Sequence, residues 1–484
     1  MLSSYLLLPV ILFPIFSGII LHALRLKDRK AVRIYTMTMT LITSAAVWYM
    51  ILFCSPEAAP FIRFTDDFIF RLKFDECGRY FAGIVATLWP LTVCYAFGYL
   101  EDDLRQKAFF GWFTMAFGVT LGVSMAGNLF TLYIFYELLT LSTVPLVMHT
   151  ETPEAIRATR TYFGYSLGGA AFALVSILYL TTGQIRTGSP AATGFFYLLG
   201  VAGFGVKSAM FPIHRWLPKA SVAPTPVTAL LHAVAVVKAG IFSVIRLTWF
   251  GYGTETLYGS WGQYVPLALA MFTVVYGAMR AVREVHWKRR LAYSTVANLS
   301  YILFGVYLMT KEGLIGALLH MAFHAEIKIL AFFCAGAVLH VNHREYVTEM
   351  DGLGRKMKWT FACFTVSALA LTGIPPFAGF ISKWYLLTAA GHAGTVEGYI
   401  GAGAILTAAL LTAVYMLSMV RRAFFPDKGA DLSRNETAKE AGGWMLVPMI
   451  ILAIGIVLTG LFPGVVIKSA EAIANTVRAA GGEF

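Results

Sequence analysis

Charge is what this chain has least of. Of its 484 residues, 13% are Asp, Glu, Lys or Arg and 58% are hydrophobic, whereas an average soluble domain carries roughly 25% charged residues. Mean hydropathy is +0.69. A soluble chain of this length would need the missing charge to stay dispersed, so two or three water-soluble domains are excluded. Cysteine is scarce as well. The five cysteines include no CxxC pair, which removes the usual thiolate metal sites and dithiol redox motifs. Cys54 and Cys77 are expected as unpaired thiols. Low-complexity tracts are missing, and no extramembrane piece is long enough to hold a core of its own. The longest are 55–78, 340–358 and 421–443. Within the first, aromatic and apolar residues from Phe61 to Phe74 alternate weakly and predict a short hairpin.

What the chain has instead is a series of apolar runs, many near the ~20 residues that cross ~30 Å of hydrocarbon as helix. They are continuous rather than alternating, so a membrane β-barrel is excluded. The fold expected is all-α and polytopic, with fourteen spanning helices. They lie near 2–24, 31–54, 79–99, 108–126, 129–149, 159–181, 194–214, 224–250, 261–281, 290–310, 313–340, 359–389, 398–420 and 444–467. The first run is long and has no basic residue ahead of it, so it counts as a span and not as a cleaved leader. Of the 38 lysines and arginines, twenty-five fall in alternate loops of this assignment. Eight fall in the opposite loops and the tail. Positive residues mark the cytoplasmic side, which puts both termini outside. Seven short loops share the twenty-five, so the net charge of +12 reflects orientation in a membrane and not a nucleic-acid surface.

Two spans read as broken. Lys207-Ser-Ala-Met-Phe-Pro-Ile-His214 places Pro212 late in the seventh, and Thr372-Gly-Ile-Pro-Pro-Phe-Ala-Gly-Phe380 places a Gly-Pro-Pro interruption inside the twelfth. Proline frees a backbone carbonyl, which lipid tolerates only where protein or water covers the break. Matching interruptions in two halves point to inverted five-helix repeats with an ion site at their interface. The expected organisation is peripheral helices 1–3 (1–100), a first repeat of helices 4–8 (101–250), a second of helices 9–13 (251–425), and a cytoplasmic loop with helix 14 (426–484).

The five remaining basic residues, Lys207, Lys238, Arg246, Lys328 and Lys383, fall inside spans. Glu137 lies mid-span too, where a carboxylate costs roughly 2.5–3.5 kcal/mol unless a cation or a proton neutralises it. Its plain alternative is a boundary residue reaching water, but two apolar turns flank it on each side. Lys207 precedes the first break. Paired with Glu137 it would hold a proton, and separated it would release one. Lys238 repeats the theme one helix on; structural ion pairs are the bland alternative for all three. His320, His324 and Lys328 recur every fourth residue, forming one polar stripe about 12 Å long. Histidine exchanges protons near neutral pH, so the stripe suits a proton wire. Metal or haem ligation would need further ligands that the spacing does not supply. His232 is a lone intramembrane histidine, of the kind that more often hydrogen-bonds in a core. Lys383 follows the second break. Glu137, Lys207, Lys238, Lys328 and Lys383 thus succeed one another across both halves, as a lateral row of ionisable groups would. Arg246, nearer the outer end of its span, is expected to anchor structure.

These motifs together resemble the antiporter-like subunits shared by respiratory complex I, Mrp-type sodium/proton antiporters and membrane-bound hydrogenases, over nearly the whole chain. The resemblance is carried by Asn128 to Glu137, by the run from Lys207 to Ala220, and by Ala223-Pro-Thr-Pro-Val-Thr-Ala-Leu-Leu-His-Ala with Lys238. It extends through Lys288-Arg-Arg-Leu-Ala-Tyr-Ser-Thr, His320-xxx-His324-xxx-Lys328 and Gly373-Ile-Pro-Pro-Phe-Ala-Gly-Phe-Ile-Ser-Lys383. It implies fourteen helices with two inverted repeats, a Glu137–Lys207 switch pair, relay by Lys238, His320, His324 and Lys328, and exit at Lys383. It also implies no cofactor, partner subunits of an Mrp, hydrogenase or complex I assembly, contact with lipid, and a prokaryotic cytoplasmic membrane. The transported ion is H+, with Na+/H+ exchange left open, as is the choice between an oxidoreductase-driven pump and an antiporter. A free-standing transporter of a small solute and a quinone-reactive redox subunit are the rival readings. Two departures from the family stand out. Tyr136 replaces the usual Trp before the glutamate, and Glu326 stands where the family has apolar residues. Glu326 lies about 200° around the helix from His324 and from Lys328, so it faces away from their stripe. It is expected to be functional.

Overall fold

In lipid a backbone must satisfy its own N–H and C=O groups, so the apolar runs fold as helices. The computed structural model of the chain describes residues 2–26, 28–54, 58–65, 68–183, 189–427, 429 and 432–479. Lys27, Arg186 and Lys428, counted above among the loop cations, lie outside them. The helices are α1 (Leu2–Ala23), α2 (Arg29–Phe53), α3 (Glu76–Tyr99), α4 (Gln106–Ser124), α5 (Leu129–Val147), α6 (Pro153–Thr181), α7 (Pro190–Gly205), α8 (Trp216–Ala220), α9 (Thr225–Ala233), α10 (Val236–Ile245) and α11 (Thr254–Leu257). The second half holds α12 (Trp261–Arg283), α13 (Trp287–Tyr307), α14 (Lys311–Asn342), α15 (Lys358–Thr372), α16 (Ala378–His392), α17 (Val396–Phe424), α18 (Gly443–Leu461) and α19 (Gly464–Ala479). Asp28, Asp75, Asn128, Thr152, Ser189, Thr310 and Thr395 each accept a first-turn N–H, which fixes where seven of these helices start.

The all-α, multi-pass membrane architecture is therefore present. Among the described residues, ten helical stretches are long and apolar enough to cross a membrane, one of them the run Thr225–Tyr252 that contains α9 and α10. The other expected spans correspond to α4, α7, α13 and the α15–α16 pair. Of these, α4 and α13 are almost wholly buried among other helices, so they need not be apolar all round. The hairpin is also present: β1 (Ala58–Arg63) pairs antiparallel with β2 (Ile69–Lys73). The tight α4–α5 turn clips onto β2, with Lys73 N donating to Met125 O at 2.9 Å and Gly127 N to Arg71 O at 2.8 Å. Cys54 and Cys77 are free thiols.

Two boundaries differ from expectation. The last span stops at Leu461, not near 467, because Pro463 interrupts it. The chain then re-forms as α19, which packs on α3 and α14. The eighth span is broken as well, between α9 and α10. Val234 and Ala235 both donate to Leu230 O, and neither residue is glycine or proline, so local sequence carried no sign of it. Arg246 does anchor structure. Its Nη1 donates to Asp75 Oδ2 at 2.7 Å, and its guanidinium lies 4.9 and 4.7 Å from the ring centroids of Phe242 and Phe250.

Candidate functional site

The first half brings Glu137 and Lys207 near each other but does not join them. Asn128 caps α5, accepting from Thr131 N at 2.8 Å and donating to Ile69 O at 2.6 Å. Glu137 sits about 12 Å further along that helix. It is half-buried, and its Oε1 has no hydrogen-bond partner. Helix α7 ends at Gly205, and the segment to Arg215 runs irregularly past Pro212. Lys207, fully buried, belongs to this segment. Trp216 Nε1 covers one freed carbonyl, that of Val206, at 2.7 Å. The expected Glu137–Lys207 ion pair is not formed among the described residues. Lys207 Nζ donates instead to the backbone carbonyl of Tyr136, and it lies 3.3 Å from the centroid of the Tyr136 ring. An ammonium over an aromatic face is attracted by the ring quadrupole, so Tyr136, the residue in the usual tryptophan position, holds the lysine away from the carboxylate.

The break in the eighth span positions the contact between the halves. Lys238, in the first turn of α10, is fully buried, and its Nζ lies 3.0 Å from His324 Nδ1 on α14. Ammonium nitrogen only donates, and imidazole accepts only at an unprotonated nitrogen. This N···N bond therefore forms only when at least one partner lacks its extra proton, so the pair carries at most one positive charge. His324 Nε2 has no partner. Gly240 lets α10 come this close to the irregular segment: a Cβ there would lie 2.6 Å from Ser208 N and 2.8 Å from Lys207 Cβ.

Along the second half the stripe on α14 continues. The rings of His320 and His324 are 5.8 Å apart. His320 is held at both nitrogens, Nδ1 by Ser382 Oγ at 2.9 Å and Nε2 by Asn298 Oδ1 at 3.2 Å. Lys328 donates to Ser294 Oγ at 2.7 Å and to Leu291 O at 3.1 Å. Ser294 meets Tyr415 OH at 2.6 Å, and that hydroxyl donates to Thr412 Oγ1 at 3.2 Å. Lys383 lies one residue beyond Ser382. Its Nζ donates at 2.6 and 2.9 Å to the carbonyls of Leu371 and Thr372, which end α15 at the Gly-Pro-Pro break. Gly373 has φ +92°, and a Cβ on it would sit 2.9 Å from Lys383 Cδ, so both backbone and space require glycine. The two proline-containing breaks thus each leave a lysine bonded to a main-chain carbonyl. His232 is a buried core residue, 3.4 Å from Ser221 Oγ and with its ring 4.9 Å from that of Phe332. Glu326 does face away from the stripe, and its Oε2 accepts from Thr459 Oγ1 on α18 at 3.3 Å.

Sequence reasoning missed Ser294, Asn298, Ser382 and Tyr415, which hydrogen-bond members of the row or one another. Ser294 and Asn298 stand four apart in the tenth span, a usable signal of a polar stripe facing α14. Ser382 and Tyr415 offered none.

The family model described as NADH:quinone oxidoreductase/Mrp antiporter, transmembrane, matches residues 126–418. The chain belongs to that family. The matched stretch starts two residues before the cap of α5 and ends within α17, so it contains every member of the row. NADH-quinone oxidoreductase subunit N of Desulforudis audaxviator (strain MP104C) is 32% identical over 408 residues, covering 78% of this chain and 79% of that protein. Na(+)/H(+) antiporter subunit A1 of Staphylococcus haemolyticus (strain JCSC1435) is 30% identical over 443 residues, covering 84% of this chain and 54% of its own length. Other curated relatives are likewise longer, and the chain spans between 40% and 63% of them. Among solved structures, a chain of the Mrp complex from Dietzia sp. DQ12-45-1b superposes with a TM-score of 0.88 at 19% identity, over 100% of this chain and 98% of that one. That likeness shows a shared fold.

Proposed function

We propose that this protein is an ion-translocating subunit of a multisubunit membrane assembly, and that it moves protons along a mid-membrane row. The observation that carries this reading is the buried Lys238–His324 bond, which joins the halves through two groups that can each take or give up a proton. In the resting arrangement Lys207 rests on the Tyr136 carbonyl. When it swings to Glu137, the ion pair favours its charged form and draws a proton. When it swings back, the proton is free to pass to the Lys238–His324 pair. From there His320, with Asn298 and Ser382, leads toward Lys383, while Lys328, Ser294 and Tyr415 form a side branch. His232 lies beside this route rather than in it.

The names of the relatives support partners of the complex I, hydrogenase or Mrp kind and a prokaryotic cytoplasmic membrane. The loop charge supports both termini outside, with the two repeats at 101–250 and 251–425. Exchange of H+ for Na+ is the alternative mode. Purifying the chain from native membranes with its associated subunits, and reconstituting them in vesicles that report pH and sodium separately, tests the proposal. Lys207→Ala should leave the subunit in the assembly and stop ion movement. Normal transport by that variant would remove the row from the mechanism. Purification without any partner subunit would favour a free-standing transporter.

A further inference from the structure

Glu326 lies fifteen residues, about 22 Å, into the 32-residue helix α14. His324 and Lys328 face the axis of the row from the other side of that helix. Among the described residues Glu326 meets a single neutral donor on its own side, the hydroxyl of Thr459, whose one hydrogen is shared with Gly455 O at 2.9 Å. One shared, weak hydrogen bond does not compensate a mid-span carboxylate. The half-buried carboxyl borders a cleft of about 380 Å³ between α2, α3, α14 and α19. The cleft follows α3 from Glu76 and Arg79, an ion pair at 3.7 Å in the first turn, down to Thr87 and Leu88. That is about 18 Å of helix. Its mouth lies at the end of α3 that the loop charge assigns to the outside. Trp48, Ile51 and Val465 make the walls largely apolar, with Tyr80, Thr87 and Ser469 as polar steps along them. The volume accommodates on the order of ten waters.

We propose that Glu326 is a second proton-binding site, loaded and unloaded through this cleft and independent of the axial row. The geometry favours a proton over a metal cation. One carboxyl and one threonine hydroxyl replace little of the hydration shell that sodium would lose, whereas a proton needs only one carboxyl oxygen. The ionisable groups facing the site are Tyr80, Glu76 and Arg79, all from α3. At the cleft α2 and α19 present Trp48 and Ser469, and α18 contributes Thr459 beside the carboxyl; none of the three titrates near neutral pH.

A hydrophobic carbodiimide tests the proposal on the intact assembly in membranes. It reacts with the protonated acid: the proton moves to a carbodiimide nitrogen, the carboxylate oxygen adds to the central carbon, and rearrangement leaves an N-acylurea carrying the whole reagent. Peptide mass analysis should find the adduct on Glu326, and Glu326→Gln should lack it. Its yield should fall about tenfold per pH unit on the alkaline side of the midpoint and be indifferent to sodium. Gly83→Leu, which fills the middle of the cleft, should slow it. A yield flat from acid to strongly alkaline pH would overturn the proposal in favour of a permanently protonated structural residue. Failure to label Glu326 while other membrane carboxyls react would overturn it as well. Protection by sodium would replace the proton with a metal cation. None of these readouts depends on transport along the row.

Discussion

Gly240→Ala perturbs the row without altering any of its members. Helix α10 passes the irregular segment so closely that an added Cβ would lie 2.6 Å from Ser208 N and 2.8 Å from both Lys207 C and Lys207 Cβ. Carbon contacts are optimal near 3.5–4.0 Å, so the two segments must part by about 1 Å. The atoms in the way are backbone or the first side-chain carbon, and they cannot rotate aside. Overpacking of this kind costs about 1–3 kcal/mol, and the better helix propensity of alanine returns about 1 kcal/mol. The net destabilisation is small enough for the subunit to fold and assemble. Transport responds more steeply, because Lys207 and Lys238 move apart, and a misplacement of about 1 Å costs on the order of 10²-fold in a positioned transfer. The assay is proton flux in vesicles with an internal pH dye. Gly403→Ala is the control, since a Cβ there meets nothing within 4 Å. Equal flux from the two variants would refute the argument that this close approach sets the geometry of the row.

Lys383→Ala should block the terminal transfer, and Lys383→Glu should restore part of it, because a carboxyl also carries a proton at that depth; wild-type flux from the alanine variant would place the exit elsewhere. Asn298→Leu removes the oxygen at His320 Nε2 and should slow proton flux about 10²-fold, with Asn298→Gln recovering some of the loss. Asp75→Asn leaves the Arg246 charge facing a neutral group and should destabilise the fold by at most the roughly 3–5 kcal/mol of a broken buried pair, read as a lower melting temperature in detergent. Asp75 caps α3 and binds Arg246 and is not a member of the row, so surviving assemblies of that variant should transport normally, and loss of transport without loss of stability would contradict the anchoring role.

Much of the architecture was legible because lipid leaves few choices. Continuous apolar runs had to be helices, and Gly373-Ile-Pro-Pro376 had to interrupt one. Four-residue spacing alone placed His320, His324 and Lys328 on one face and turned Glu326 away from it. The break at Val234 and Ala235 was not legible, because no residue there forbids helix; tertiary packing imposes it. The partners of the lysines were not legible either. Lys238 meets His324 eighty-six positions along the chain, a contact that no local pattern encodes. A Glu137–Lys207 pair was the expectation, but the choice of the Tyr136 carbonyl over the carboxylate depends on side-chain rotamers.

On the proposed route a proton crosses between the halves through Lys238 and His324. Lys238→Met tests it most directly, since methionine fills similar space and holds no proton. With the variant assembled and inserted as wild type, the account predicts proton flux lowered by about 10²-fold or more. Flux equal to wild type from a fully assembled Lys238→Met variant would contradict it.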